Sequence, residues 1–504
     1  MRLNQRTAGV LLNYASESLR VLTTLVYTPI MLRLLGQSEY GLYQLVSSTV
    51  SYLSLLSLGF GSAYIRFYSR YAVKKDTAGV ARLNGMFLLI FGTMAAVCLL
   101  CGGVMTENAA WIFGSGLTAE ELVTAKKLMG ILVVSMSITF PNSVFVSYIT
   151  AHEEFVFQKL LNLLQSLLNP FLALPLLLLG YGSVAVVAVS ALLTAAVFVS
   201  NMLFCCKKLK MHFSFRGLEF SLLKEMWVFT FFIFLNEIIS QVNWNVDKLL
   251  LGRISGTESV AVYGIGGQIN SLYLATSTAI SNVFIPKVNR IVATSDDNKE
   301  LTSLMSRIGR VQFMVLSLVI TGFTLFGRPF ISLWAGPEYE DAYAVALFLI
   351  VPVTAPLVQN IGIEIQRAKN MHRARSLVYT ALAVMNVCFS IPLIRIWGCK
   401  GAAFGTAISM ILGNGLFMNW YYHNKIGLNM KAFWKEIVGI CPAVAMAALL
   451  GAGYITLVPI HGWEMLLVSI VLYTLVYAAV LLVAGLNAEE KQVVTRILQK
   501  LKRK

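Results

Sequence analysis

Apolar runs of about twenty residues follow one another along the whole chain, separated by short polar stretches. At about 1.5 Å per residue, a helix of this length crosses a hydrocarbon core of about 30 Å. Only 13% of the residues are charged, whereas soluble domains carry about 25%. The runs lack the alternation of apolar and polar residues that barrel strands require. The sequence therefore predicts an all-α polytopic membrane protein.

Hydropathy, with charged residues taken as boundaries, predicts about fourteen transmembrane helices. The net charge is +16, and most of the 40 Lys and Arg residues fall in loops on the side of the N-terminus. Cationic loops stay on the cytoplasmic side, which predicts a multi-pass protein of the cell (cytoplasmic) membrane with both termini in the cytoplasm. The predicted helices cover residues 8–33, 42–65, 83–103, 122–146, 160–179, 182–204, 226–251, 261–286, 309–333, 342–366, 376–395, 401–420, 437–458 and 464–484.

An internal repeat predicts two parallel six-helix lobes. Three features recur at an offset of about 215 to 218 residues, which corresponds to six helices and so preserves direction across the membrane. The matched features are Leu35-Gly36 with Leu251-Gly252, Pro141 with Pro356, and the turn 180–183 with 398–401. The predicted division is an N-terminal lobe at 1–210, a C-terminal lobe at 211–425, two further helices at 426–485 and a tail at 486–504.

The tail carries a helix start signal and a helical repeat of apolar residues. Asn487 is followed three residues later by Glu490, and apolar side chains then recur at helical spacing among basic residues. This pattern predicts an amphipathic helix on the cytoplasmic membrane face. A membrane anchor and a partner-binding segment are both compatible with it.

Helix 1 carries a polar stripe inside the membrane. Asn13, Glu17 and Arg20 lie at i, i+4 and i+7, on one helical face. Each ionisable group costs about 2.5 to 3.5 kcal/mol on insertion scales, so the stripe is predicted to line a substrate cavity in which Arg20 attracts an anion. A structural ion pair between Glu17 and Arg20 remains the alternative. Pro29, late in the same helix, is predicted to act as a hinge.

Helix 7 opens the second predicted lobe and is more polar still. Glu237, Gln241, Asn245 and Lys248 share one face and are predicted to line the same cavity, while Asp247 lies on the adjoining face. Glu17, Glu237 and Asp247 are the candidates for coupling transport to H⁺ or Na⁺. An interfacial position for Asp247 and Lys248, near the outer end of the helix, remains the alternative.

No residue pattern indicates an enzyme, a metal site or a cofactor. His152-Glu153-Glu154 lacks the second histidine of a zinc motif, and no Walker motif is present. Cys98 and Cys101 form a C-x-x-C inside an apolar run, where small core residues are expected. The outer loops are too short for a catalytic domain.

The segments 27–45 (YTPIMLRLLGQSEYGLYQL) and 57–66 (SLGFGSAYIR) resemble the polysaccharide-transporter branch of the multidrug/oligosaccharidyl-lipid/polysaccharide exporter superfamily. The resemblance implies a MATE-like V-shaped fold and a flippase that moves undecaprenyl-pyrophosphate-linked oligosaccharides by alternating access, for O-antigen or capsule synthesis. It also implies that cavity cations engage the pyrophosphate or acidic sugars, and that the polysaccharide polymerase and glycosyltransferases are possible partners. A cation-coupled multidrug exporter and a membrane glycan polymerase or ligase are the alternatives.

Overall fold

The computed structural model describes residues 5–218, 221–369 and 371–492. The side chains of residues 5–17, 62, 221–224, 226–229, 232, 233, 236 and 372–376 are not described. Within the described ranges all regular secondary structure is helical and no strand occurs. The prediction of an all-α protein is confirmed. The chain forms two compact units, Met1–Ala261 and Val262–Lys504.

The first unit is built from long, mostly apolar helices. In it, α5 packs along α1, α3 and α7, α6 packs against α1 and α7, and α8 packs against α1 and α2. Its helices are α1 (Gln5–Ser51), α2 (Phe60–Val73), α3 (Thr77–Glu107), α4 (Ala109–Phe113), α5 (Ala119–Ala151), α6 (Phe155–Leu178), α7 (Gly182–Leu203), α8 (Ser221–Ile254) and α9 (Thr257–Asn282), the last of which continues into the second unit.

The backbone of α1 breaks at Gly36, where φ is +75° and ψ is 172°. A side chain strongly disfavours this conformation, and glycine adopts it readily. The break separates the two helices that hydropathy predicts at 8–33 and 42–65. The second of these is interrupted again by the left-handed residues Leu58 and Gly59. Pro29 lies inside continuous helix, and its role as a hinge stays a prediction.

The second unit is organised around α11. This helix packs against α12, α16, α17 and α18, and α14 packs against α12. The helices are α10 (Ile285–Thr294), α11 (Asn298–Trp334), α12 (Ala342–Val358), α13 (Asn360–Ala368), α14 (His372–Met410, broken at Gly398), α15 (Met418–Tyr421), α16 (Met430–Val438), α17 (Cys441–Leu457) and α18 (Gly462–Val480).

Nine helices among the described residues are long and apolar enough to cross a membrane, and a tenth span results if the bent pair α12 and α13 counts as one. The chain is therefore a multi-pass membrane protein. Each of the fourteen predicted segments falls mostly in helix. The count of fourteen, the two six-helix lobes and the boundaries at 210, 425 and 485 stay predictions, because compact units and transmembrane repeats are different properties.

The start of the tail is held by a buried arginine of α11. Arg310 donates from Nε and Nη2 to the two carboxylate oxygens of Glu490 at 2.8 and 2.9 Å. Its Nη1 and Nη2 also donate to the carbonyl oxygens of Glu436 and Gly485 at 2.7 and 3.1 Å. Glu490 and Asn487 form the reciprocal capping bonds that the sequence predicts, and residues 488–492 are helical. The remainder of the predicted amphipathic tail, 493–504, lies outside the described residues.

We expect the contribution of Glu490 to stability to disappear in acid. Burial raises the pKa of Glu490, but hydrogen bonds from Arg310 and the Asn487 N–H, with the charges of Arg310 and Arg307, bring it below its usual value of 4.5. A depressed pKa stabilises the folded protein above the unfolded-state pKa of about 4.3, and this stabilisation is lost as the pH falls through the folded-state value. At pH 6, the purified protein should therefore melt higher than Glu490→Gln.

The two melting temperatures should converge as the pH is lowered from 5 to 3, followed by thermal unfolding in detergent. Glu489→Gln is the matched control, since Glu489 is exposed and pairs with the exposed Arg307. Its difference from the wild type should stay small throughout. If the melting temperatures of the wild type and Glu490→Gln differ as much at pH 3 as at pH 6, the assigned pairing of Glu490 with Arg310 is contradicted.

Candidate functional site

A line of polar side chains joins the second half of α1, and the short helical turn at Tyr52–Ser57 that follows it, to α8. Gln241 Nε2 donates to Ser54 Oγ at 2.9 Å, and Ser51 Oγ donates to Gln241 Oε1 at 3.2 Å. Asn245 Nδ2 donates to the same Gln241 oxygen at 2.6 Å. The line is hydrogen-bonded throughout, as polar groups within a membrane protein must be.

Lys248 continues this line one further turn along α8. Its Nζ donates to Gln44 Oε1 at 3.0 Å, and Gln44 Nε2 donates in turn to the hydroxyl of Tyr40 at 2.9 Å. The ammonium therefore contacts a neutral amide across the helix pair. An amide satisfies one of its three donors without neutralising its charge.

A second network, at the start of the second half of α1 and the start of α9, is centred on Glu121 of α5. Ser38 Oγ and Thr257 Oγ1 donate to Glu121 Oε1 at 2.6 and 2.7 Å, and these two hydroxyl oxygens lie 3.2 Å apart. Glu121 also closes a capping box with Thr118, accepting from the Thr118 N–H at 2.8 Å. One carboxylate thereby ties together the starts of three helical segments.

Part of the segment 27–45, which carries the family resemblance, contacts other helices near Glu121. Glu39 accepts from the N–H of Ser183 at 2.6 Å, at the positive N-terminal end of α7. Gly41 packs so closely on the start of α9 that a Cβ at this position would overlap the carbonyl oxygen of Thr257. The Gly-Gln-Ser-Glu-Tyr-Gly sequence at 36–41 therefore breaks α1 and fastens it to α5, α7 and α9.

The structure places some of the predicted site residues close together. Gln241, Asn245 and Lys248 share the face of α8 that meets α1, as helical periodicity predicts. Glu237 is exposed, and Asp247 is buried on its adjoining face. Whether these residues line a substrate cavity or couple an ion stays a prediction.

The predicted stripe on helix 1 is described only at Arg20. The Arg20 side chain is exposed and takes part in interactions within the chain. Asn13 and Glu17 lie in α1, but their side chains are outside the described residues, and so is the proposed ion pair. The roles of these three residues stay predictions.

Sequence reasoning missed the partners on the α1 side, namely Ser38, Gln44, Ser51 and Ser54, and the junction residue Glu121. Single uncharged polar residues in an apolar run are common, because a serine can bond its own helix backbone. Glu121 did carry a readable signal, since Thr118 stands three residues before it in a capping-box pattern.

A family model described as "Polysaccharide biosynthesis protein" matches residues 7–292, more than half of the chain. The chain belongs to this family. Membership confirms the resemblance stated for the segments 27–45 and 57–66, and the matched range contains the whole hydrogen-bonded line between α1 and α8.

Two curated relatives of this family member resemble it over most of their length. An uncharacterized membrane protein EpsK of Bacillus subtilis is 22% identical over 97% of both chains. A provisionally named O-antigen transporter of Shigella flexneri is 21% identical over 82% of this chain and 96% of its own. The second is named as a transporter, in agreement with the prediction of a transporter rather than an enzyme.

Solved structures with the same fold include two transporters. The lipid II flippase MurJ, in an inward closed conformation, matches 94% of this polysaccharide biosynthesis family chain and 98% of its own, with a TM-score of 0.73 and 16% identity. A MATE family multidrug resistance transporter in an inward-facing conformation matches 82% and 96%, with a TM-score of 0.65 and 16% identity. The MATE-like fold is therefore confirmed, and identities this low establish the fold alone.

Proposed function

We propose that this protein is a flippase that moves undecaprenyl-pyrophosphate-linked oligosaccharide repeat units across the cytoplasmic membrane for surface polysaccharide synthesis. The observation that carries the proposal is the family match over residues 7–292. The name of one relative, an O-antigen transporter, supports it, and the fold shared with the lipid II flippase MurJ agrees with it. Both termini are proposed to lie in the cytoplasm, as the positive-inside rule indicates.

The physical task explains why a flippase needs polar side chains between helices. A charged and hydroxylated head group needs a wet path, while its prenyl tail remains in hydrocarbon. A cleft between two bundles that opens laterally would supply both environments. In this proposal the protein works by alternating access, driven by H⁺ or Na⁺, with Glu17, Glu237 and Asp247 as candidates for binding the ion.

Arg20 is proposed to attract the anionic part of the substrate. Arginine stays charged in any surroundings and binds a phosphate through two parallel hydrogen bonds. In a strain that lacks the gene, complementation with Arg20→Ala should fail to restore surface glycan, and lipid-linked repeat units should accumulate in the cytoplasmic leaflet. Arg20→Lys should restore a fraction, since it keeps the charge and loses the paired geometry.

Glu17→Gln and the double variant Glu17→Gln, Arg20→Ala are the controls. If Arg20 served only to pair with Glu17, each single variant would lose folded protein and the double variant would recover it. Surface glycan is therefore measured per folded molecule. Full glycan in the deleted strain, in the absence of a second flippase, would overturn the proposed function.

The second candidate is a cation-coupled multidrug exporter. The specific observation in its favour is the TM-score of 0.65 with an inward-facing MATE transporter. This candidate predicts altered resistance to organic cations in the deleted strain, with surface glycan unchanged.

A further inference from the structure

The contacts between α1 and the α8–α9 region follow one regular order. Ser38 lies beside Thr257, Gln44 beside Lys248, and Ser51 beside Gln241. Residue numbers rise along α1 as they fall along its partner, so the two segments run antiparallel. Their continuous helical parts, residues 38–51 of α1 and 241–254 of α8, are each about 20 Å long at 1.5 Å per residue, and Ser54 and Thr257 lie just beyond them.

Glycine contacts make this boundary unusually close. A Cβ on Gly252 would overlap the side chain of Leu45, and a Cβ on Gly116 would overlap the carbonyl oxygen of Gly252. Gly41 meets the backbone of Thr257 in the same way. Backbone and side chains therefore leave no room for a head group between these segments in this conformation.

We propose that this antiparallel contact, here called the polar seam and comprising Ser38, Gln44, Ser51, Ser54, Gln241, Lys248 and Thr257, is the gate that closes the outer half of the transport path. The inference rests on the proposed flippase function. By the predicted topology, Ser38 and Thr257 lie at the extracytoplasmic end, and Ser51 and Gln241 lie deep in the bilayer. The seam parts when the protein opens outward.

The chemistry of the seam suits a contact that must break in every cycle. Its two sides are joined directly by hydrogen bonds among hydroxyls, amides and one ammonium, and the Glu121 carboxylate accepts from the Ser38 and Thr257 hydroxyls at the outer end. Water can replace each of these bonds when the sides separate. Bonds of this type within membranes are individually weak, so the closed state is easily reversed. An interface of large apolar side chains would expose hydrocarbon to the incoming water instead.

Opening of the seam would also change the charge that faces the substrate. With the seam closed, the ammonium of Lys248 is covered by Gln44 at 3.0 Å. With the seam parted, the same ammonium faces the path, where it would attract the pyrophosphate of the lipid carrier. The positive charge is thus presented on the outer side only after the gate opens.

A disulfide across the seam tests the gate. In Ser38→Cys/Thr257→Cys the two sulfurs replace hydroxyl oxygens that lie 3.2 Å apart, so the oxidised pair should form. Transport is followed in proteoliposomes with polyprenyl-pyrophosphate-linked N-acetylglucosamine as the probe. Oxidation should lower its rate at least tenfold, and reduction should restore the rate.

The matched control is Asn142→Cys/Asn201→Cys, which replaces a side-chain pair at 2.9 Å between α5 and α7, away from the seam. This pair should cross-link without loss of transport. Because seven native cysteines remain as free thiols, each single substitution is oxidised in parallel. Leu45→Cys/Gly252→Cys serves as a second seam pair if the first variant folds poorly, because a Cβ at position 252 would lie 3.0 Å from the Leu45 Cγ that the new sulfur replaces.

A third cysteine tests the gate independently of the proposed substrate. Asn245→Cys, added to the Ser38→Cys/Thr257→Cys pair, is labelled from outside with an impermeant maleimide, and the labelled peptide that contains residue 245 is quantified by mass spectrometry separately from all other cysteine peptides. Closing the disulfide should slow this labelling at least tenfold. If the wild-type protein does not move the probe but the disulfide still slows labelling at residue 245, the result supports the gate and contradicts the proposed substrate. Failure of both seam pairs to cross-link, or cross-linking without effect on transport and labelling, would overturn the gate.

Discussion

Replacing Arg310 with methionine should lower the free energy of unfolding by about 3 to 5 kcal/mol, because it removes one partner of a buried ion pair. The side chain of Arg310 is 7% exposed and that of Glu490 is 14% exposed. Methionine fills a similar volume but leaves the Glu490 carboxylate with only the Asn487 N–H as a donor, and it removes the bond to the Gly485 carbonyl. Unfolding in mixed detergent micelles, followed by circular dichroism, measures the change.

Arg307→Met is the control on the same helix, one turn earlier. Arg307 pairs with Glu489 at 3.2 Å, but both side chains are more than half exposed. Such pairs contribute about 0 to 1 kcal/mol. If both substitutions lower the free energy of unfolding equally, the buried ion pair of Arg310 contributes no more to stability than the exposed pair of Arg307.

Glu121→Ala should cost about 2 to 3 kcal/mol of stability, since hydrogen bonds to a charged acceptor are worth about 1.5 to 3 kcal/mol each and are not additive. The substitution leaves the Ser38 and Thr257 hydroxyls and the Thr118 N–H without this acceptor. Glu121→Gln should lose less, because its carbonyl oxygen can still accept from the two hydroxyls. Thermal unfolding of the purified variants distinguishes the two.

Glu120→Ala is the matched control for this prediction. Glu120 precedes Glu121 in the first turn of α5 but is exposed. Its carboxylate interacts mainly with the helix dipole, a contribution of about 0.3 to 1 kcal/mol. A loss in Glu121→Ala no larger than that in Glu120→Ala would contradict the assigned network.

Hydropathy located the helices because apolar length is a property of a single segment. Helical periodicity likewise placed Gln241, Asn245 and Lys248 on one face, since their spacing fixes their direction. The partner of that face could not be read from the sequence. Gln44 and Ser51 become visible only once α1 and α8, some 200 residues apart, lie side by side.

The bend in α1 illustrates a second limit. Proline is the residue that disrupts a helix most strongly in water, so the sequence pointed to Pro29. In a membrane helix, proline is tolerated when neighbouring groups satisfy the freed carbonyl. Hydropathy predicts a loop between the helices at 8–33 and 42–65, and the structure has there a single break at Gly36, where glycine adopts a positive φ; the hinge at Pro29 stays a prediction.

The polar seam also constrains the order in which the chain can be built. The partners of Ser51 and Gln44 follow them by 190 and 204 residues. At about 5 to 20 residues per second, a ribosome needs about 10 to 40 s to synthesise that interval. During this wait the second half of α1 enters the membrane before its hydrogen-bonding partners exist. Retention of this segment beside the insertion machinery, until α8 emerges, would spare its amides and hydroxyls from exposure to lipid.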